Sequence, residues 1–251
     1  MNREKLLNLS IITIEKNYPD GLERTLRSIA GQEVPDDLAF LHLLCEGTPG
    51  VASKLIADLG LSGVSRICSS QDSGLYNGMN RGLSAVENGW VLFLNAGDSL
   101  VPKHALQRIY NVLSETEAAV VQFQANYADG TTRPLVPYSK YSLFFGKNMH
   151  IHPALCINLD IVKSLRFDET LKIAADYKMV NELIRVFEFH FENIVVSNFE
   201  GGGISSTSVN TLIDEMNLVR ILTAPKYLPS SVVILWNSFF RFRIQKKMNI
   251  K

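Results

Sequence analysis

Residues 90–98 read Trp90-Val91-Leu92-Phe93-Leu94-Asn95-Ala96-Gly97-Asp98. An unbroken apolar run of strand length, opening after Gly89 and closing in a polar loop, is the pattern of a β-strand buried on both faces. Strands of that kind belong to parallel sheets covered by helices on each side. The carboxylate of Asp98 would then stand just beyond the strand's carboxyl end, where open α/β sheets bind their ligands.

The flanks of this strand agree with that reading. Upstream, Leu75, Met79, Leu83 and Val86 recur at helical spacing and Gly89 closes the helix. Before it, Leu9–Ile14, Leu38–Leu44 and Val64–Cys68 read as strands. They alternate with a helix over Leu22, Leu26 and Ile29, capped by Asp20, and a short helix over Val51–Leu59. Downstream, Leu106, Ile109, Tyr110 and Leu113 mark another helix, and Ala118–Gln124 another strand. The βαβαβ alternation predicts a doubly wound, mixed but mostly parallel sheet. Residues 126–150 read as a loop, with a turn at Asp129-Gly130 and breakers at Pro134 and Pro137. A strand near Ala154–Asn158, a helix from Asp176 with Val180, Leu183, Ile184 and Phe187 on one face, and a strand over Asn193–Phe199 follow. From Ser208 the pattern is helical, broken at Pro225 and Pro229. The predicted division is one α/β domain over residues 1–206 and a helical extension over 207–251.

Composition narrows the function. The 251 residues hold 25 Lys+Arg against 25 Asp+Glu, so no whole-chain field favours nucleic acid. Cys45, Cys68 and Cys156 are isolated, which suits neither a disulfide framework nor a zinc motif and points to a reducing, cytoplasmic setting. No secretory signal and no run of 18 apolar residues is read. The absence of a Gly-x-Gly-x-x-Gly turn after Leu9–Ile14 argues against a nicotinamide-dependent oxidoreductase.

Five clusters could carry chemistry. Asp98 can reach a nucleoside diphosphate only through a divalent cation, which hard oxygen ligands favour; the bland alternative is a cap on the following turn. Residues 71–82, Gln71 to Gly82, open a helix with glycines and could receive phosphate. There Asp72 and Arg81 either contact a ribose or base and a phosphate, or serve as an N-cap and a solvated charge. Asp176, among apolar neighbours, is either a base toward a hydroxyl or a helix cap. His150 and His152 flank Ile151, and in an extended segment would share one face; two histidines without a third ligand make either a partial metal site or ordinary packing. Gly201-Gly202-Gly203-Ile204-Ser205-Ser206 could wrap a ligand with backbone N–H groups, or simply turn.

Taken in order, LSIITIEKN (9–17), GLERTLRSIAGQ (21–32), QDSGLYNGMNRGLSAVENGWVLFLNAGD (71–98), FDETLKIAADY (167–177) and GGGISS (201–206) resemble the family 2 glycosyltransferases of GT-A fold. Bacterial enzymes of colanic acid and other exopolysaccharide synthesis look closest. The resemblance implies an inverting sugar transfer from a nucleotide-sugar donor, UDP- or GDP-linked, with Mn2+ or Mg2+. It implies that Asp98 holds the metal and Asn95 fills the other position of the family's DxD-type motif. Asp176 matches the catalytic base, and Asp72, Asn80 and Arg81 match donor-pocket positions. One departure stands out: where the family carries a DGGSTDGT-like loop, this chain has Cys45-Glu46-Gly47-Thr48-Pro49-Gly50, with Glu46 the candidate substitute for the base-contacting acid. Cys45 and Asn95 also motivate a second reading, a nucleotide-sugar-binding or scaffold subunit with weak catalysis.

The tail reads YLPSSVVILWNSFFRFRI over 227–244, and Arg241, Arg243, Lys246, Lys247 and Lys251 follow or end it without an acid. Aromatic rings beside basic residues suit a membrane-surface anchor, which would place the protein at the inner face of a membrane with a polyprenyl-diphosphate-linked glycan as acceptor. The alternative is a helix packed on its own domain or on a second copy of the chain.

Overall fold

The computed structural model describes residues 6–69, 73–145, 150–201, 208–224 and 230–248, with side chains of the last segment over 231–243. Its centre is an eight-stranded sheet in the order β3-β2-β1-β4-β7-β6-β8-β5. The strands are β1 (Leu7–Glu15), β2 (Leu38–Glu46), β3 (Arg66–Ser69), β4 (Trp90–Phe93), β5 (Ser99–Leu100), β6 (Val120–Tyr127), β7 (Leu155–Asn158) and β8 (Phe189–Phe199). The first half, β3-β2-β1-β4, is parallel throughout. β7 inserts antiparallel between β4 and β6, β8 runs parallel to β6, and β5 closes the edge antiparallel to β8. The sheet is therefore mixed and mostly parallel, as the strand–helix alternation predicts.

Strand periodicity sorts side chains into two cores. On β4, Trp90, Leu92 and Leu94 enter one cluster with Leu9, Ile11, Leu106 and Ile109. Val91 and Phe93 enter the other with Ile12, Ile14, Tyr76 and Met79. This burial on both faces follows from helices on each side: α3 (Leu75–Ser84) covers the second cluster, while α4 (Ala105–Leu113) covers the first. α1 (Pro19–Ala30) and α2 (Val51–Asp58) bury Leu22, Leu26, Ala52 and Ile56 against Leu44. Helix α3 sits so close to β1 that a Cβ on Gly82 would stand 2.5 Å from the Ile12 Cγ2.

Some boundaries differ from the sequence reading. α1 starts with Pro19 at its first position behind Tyr18, so Asp20 lies in the first turn rather than at the cap. β8 begins at Phe189, four residues before the predicted strand, because Val120 and Val121 pair with Phe189 and His190 ahead of a register shift. Within the predicted loop, Ser139 and Ser142 form a reciprocal capping box that starts a short helix α5 (Lys140–Phe144). The helix from the Asp176 region is α6 (Ala175–Leu183).

The C-terminal helices are α7 (Val209–Thr223) and α8 (Ser230–Met248). α7 joins the main core: Met216 and Val219 lie in the cluster that holds Phe93 and Tyr177. Its Arg220 is fully buried, donating through Nε to the Phe144 carbonyl at 2.9 Å, with the guanidinium 3.7 Å from the centre of the Phe240 ring. α8 packs Val233, Trp236, Asn237 and Phe240 inward; Trp236 meets Phe145 edge-on at 4.9 Å and Asn237 reaches the Asn217 carbonyl. Yet Leu235, Phe239 and Phe242, also at helical spacing, remain exposed. One face of α8 is thus packed on its own domain, as the alternative to a membrane anchor expects, while the other face is exposed. Among the described residues no helix is long and apolar enough to cross a membrane.

Candidate active site

The carboxyl ends of the parallel strands β1, β2, β3 and β4 lie at one edge of the sheet, and Asn95 and Asp98 follow the end of β4. The loop after β4 is cinched by Thr25 of α1. Thr25 Oγ1 donates to the Asp98 carbonyl at 2.6 Å and accepts the Gly97 N–H at 3.0 Å. Gly97 has φ 107°, in the left-handed region, and a Cβ there would lie 1.8 Å from Glu200 Oε2, so only glycine fits.

Asp98 is 6% exposed. Its Oδ1 accepts the Glu200 N–H at 3.0 Å, which ties the loop to the end of β8 and replaces the predicted turn cap. Burial raises its pKa to about 7, with the Glu200 charge adding to the rise and backbone N–H groups of Glu200 and Asn95 opposing it. Beside it, Asn95 Oδ1 is buried without a hydrogen-bond partner among the described residues, as is Glu15 Oε2 at the end of β1. The Glu200 side chain itself is engaged by Tyr18 at 2.8 Å and by Arg24. A buried carboxylate held near neutrality and an orphaned amide oxygen form a hard, oxygen-only donor set. Mg2+ and Mn2+ ions that also bind substrate phosphates take one or two protein carboxylates and keep several waters, so Asp98 with Asn95 suits such an ion.

Asp176 occupies the second position of α6, not its cap. The N–H groups ahead of the helix, of Lys172, Ile173 and Ala174, are accepted by Glu215 of α7 at 2.7, 2.8 and 2.9 Å. Asp176 Oδ1 accepts the N–H of Tyr177 at 2.7 Å and faces the Tyr76 hydroxyl at 3.3 Å; Oδ2 lies 3.2 Å from His150 Nε2. Burial opposes its ionisation, but the hydrogen bond and charge of His150, the charge of His152 and the Tyr177 N–H outweigh it and hold the pKa at about 2. The group is therefore ionised at neutral pH.

His152 ties this acid to the sheet. It lies in a single 3-10 turn, His152–Ala154, and its ring stacks on Phe93 at 5.4 Å. Gln122 of β6 fixes the turn, accepting the Ile151 N–H and donating to the Ile151 and Ala154 carbonyls. The structure thus brings Asp176 into the His150/His152 pair as a third member. Spacing could not show this, because the chain between them leaves the sheet and returns.

The remaining predicted residues separate. Glu46 is buried, and both its oxygens accept backbone N–H groups, of Gly50 at 3.0 Å and Ala52 at 2.9 Å. That is capping of α2, which corrects the expectation of a side chain turned to a nucleotide base. Asn80 also does structural work: it donates to the Phe167 carbonyl and Glu169 and accepts the Phe167 N–H, clamping the approach to α6. Arg81 donates to the Cys68 carbonyl at 2.7 Å, at the end of β3. Asp72 and residues 202–207, which include most of the Gly-Gly-Gly-Ile-Ser-Ser segment, lie outside the described residues. Glu15, Thr25, Glu200 and Glu215 were not singled out from sequence; only Glu15, a carboxylate at a strand's carboxyl end, carried a signal.

Residues 10–168 match the sequence profile described as glycosyl transferase family 2. A PGL/p-HBAD biosynthesis glycosyltransferase of Mycobacterium tuberculosis is 27% identical over 230 residues, covering 84% of this chain and 83% of its own. Among solved structures, S. aureus TarS 1-349 in complex with UDP-GlcNAc superposes with a TM-score of 0.67 at 17% identity, covering 93% of this chain and 71% of that one. The mannosyltransferase PcManGT from Pyrobaculum calidifontis, in complex with GDP-Man and Mn2+, does so with a TM-score of 0.63 at 11% identity, covering 91% and 67%. At those identities the structural likeness establishes the fold.

Proposed function

This chain belongs to glycosyl transferase family 2, and on that premise we propose that it transfers a sugar, with inversion, from a UDP- or GDP-linked donor to a hydroxyl of a lipid-linked surface-glycan acceptor. The observation that carries this reading is that two carboxylates lie near one strand, Asp98 beyond the end of β4 and Asp176 grouped with a histidine that packs on it. Asp98, held near 7, follows β4, while Asp176, held near 2, sits beside the histidine that stacks on Phe93 of β4. The solved neighbours hold UDP-GlcNAc in one case and GDP-Man with Mn2+ in another, which supports a nucleotide-sugar donor.

In this reading Asp98 and Asn95 hold Mn2+ or Mg2+. That ion, when bound, neutralises charge on the diphosphate leaving group. Arg81 lines the far side of the crevice at the end of β3. Asp176 takes the proton of the acceptor hydroxyl as its oxygen bonds to the anomeric carbon. The bond from that carbon to the diphosphate oxygen breaks, and the nucleoside diphosphate departs with the electron pair. One displacement from the opposite face inverts the configuration. The exposed face of α8, with Leu235, Phe239 and Phe242 beside Arg243, would hold the enzyme on an anionic membrane near such an acceptor.

Asp176→Asn tests the assignment. A positioned general base contributes typically ~10²–10⁴-fold. Turnover should fall by about that factor while donor affinity stays near the wild-type value. Wild-type turnover in the variant would exclude Asp176 as the base. A chain that binds the donor but transfers no sugar to any acceptor, before or after mutation, would favour the binding-subunit reading.

A further inference from the structure

His150, His152 and Asp176 each present a ligand atom within 4.8 Å of the others. The closest edge, His150 Nε2 to Asp176 Oδ2, is 3.2 Å. In a tetrahedral zinc site with bonds of about 2.0–2.1 Å, neighbouring donor atoms stand about 3.3 Å apart.

A second observation points to a ligand independently. Among the described residues, both ring nitrogens of His152, and Nδ1 of His150, are buried without a hydrogen-bond partner. Buried polar atoms are nearly always paired, so an imidazole with neither nitrogen satisfied is unusual. Its place is not accidental packing. Phe93 lies against the His152 ring at 5.4 Å and Phe167 at 6.1 Å, and Gln122 grips the backbone of Ile151 between the two histidines.

We propose that one nitrogen from each of His150 and His152 and one oxygen of Asp176 bind a zinc-type divalent ion, at a site chemically distinct from the one at Asp98. Two imidazoles and a carboxylate suit Zn2+, whereas oxygen-only sets suit Mg2+ and Mn2+. The two sites at this edge thus sort ions by ligand softness. Coordination would occupy the oxygen of Asp176 that receives the acceptor's proton, so zinc would inhibit transfer; that consequence, though not the site itself, rests on the reading of Asp176 as base.

The test titrates the metal-free protein with ZnCl2 by calorimetry, with Co2+ absorption as a second readout of coordination. Wild type, His152→Leu, His150→Gln and Asp98→Asn are compared, with circular dichroism confirming the fold. One Zn2+ per chain is expected, weakened at least ~10-fold by either histidine substitution and within about twofold of wild type in Asp98→Asn. His150→Gln retains an amide donor toward Asp176 and serves if His152→Leu does not fold. No stoichiometric zinc in wild type, or unchanged affinity in the histidine variants, overturns the site. Zinc that binds at the site but leaves turnover in saturating Mn2+ unchanged overturns the inhibition and counts against Asp176 as base. Loss of turnover in Asp176→Asn without zinc binding in wild type overturns the site and leaves the base reading standing.

Discussion

Glu215 accepts the N–H of Ala174 at 2.9 Å, and through the same carboxylate the N–H groups of Ile173 and Lys172. A residue of the C-terminal helix α7 therefore holds the turn from which Asp176 projects. The helix that resembles an appendage in sequence is a wall of the site.

Glu215→Ala should leave those N–H groups unpaired. A stability loss of about 1–3 kcal/mol is expected, with turnover falling more than donor affinity because the base, not the donor pocket, shifts. Glu215→Gln should recover part of both. Melting temperature, kcat and donor Kd measured side by side check this; an alanine variant with unchanged kcat would show that the clamp does not position Asp176.

Asp98 ties metal binding to pH. Its folded pKa of about 7 lies above the ordinary carboxylate value of 3.8. Protons and a divalent ion compete for it, so Mn2+ affinity should rise as pH increases through about 7 and level off above. The sign for metal-free stability is opposite: the favourable contribution of the raised pKa is present below the ordinary carboxylate range and is lost as pH rises through 7. Asp98→Asn should abolish both trends. Manganese titrations and melting curves from pH 5.5 to 8.5 supply the measurement, and a wild-type affinity flat across that range would remove Asp98 from the metal site.

Two buried histidines should make the fold acid-sensitive. His42, between Thr13 and Ser65, is held by burial at about 3, and His152 at about 4, both below 6.5. The unfolded chain takes up protons that the native state refuses. Stability is therefore fully present above pH 6.5 and declines as pH falls toward those values, by at most ~1.4 kcal/mol per pH unit for each histidine. His42→Gln should lose less stability than wild type between pH 7 and pH 5; equal losses in chemical denaturation would contradict the assignment.

The two faces of α8 can be separated. Replacing Leu235, Phe239 and Phe242 by Gln alters only exposed positions and should lower binding to anionic vesicles by at least ~10-fold while leaving the melting temperature near wild type. Replacing Trp236 by Ala removes the contact with Phe145 and should lower the melting temperature. Unchanged vesicle binding in the triple variant would mean that the exposed face serves another partner.

The strands and helices around Trp90–Leu94 were legible because burial imposes a period on them. Trp90 and Leu92 alternate with Val91 and Phe93 between two cores, and a local apolar run suffices to announce that. The loop Asn95–Asp98 was legible for the same reason, since a strand's end places its loop. Beyond this the sequence alone could name acids but not their tasks. Glu46 and Asp176 both precede or open helices, yet Glu46 spends both oxygens on the N–H groups of Gly50 and Ala52, whereas Asp176 gives one oxygen to the Tyr177 N–H and turns the other to His150 while Glu215 takes the N–H groups ahead of the helix. Likewise His150 and His152 formed an incomplete pair until the fold set Asp176 against them. Periodicity is a local property, written within a few residues. The task of a charged side chain depends on which distant donors, rings and carbonyls close around it, and only the tertiary structure decides that.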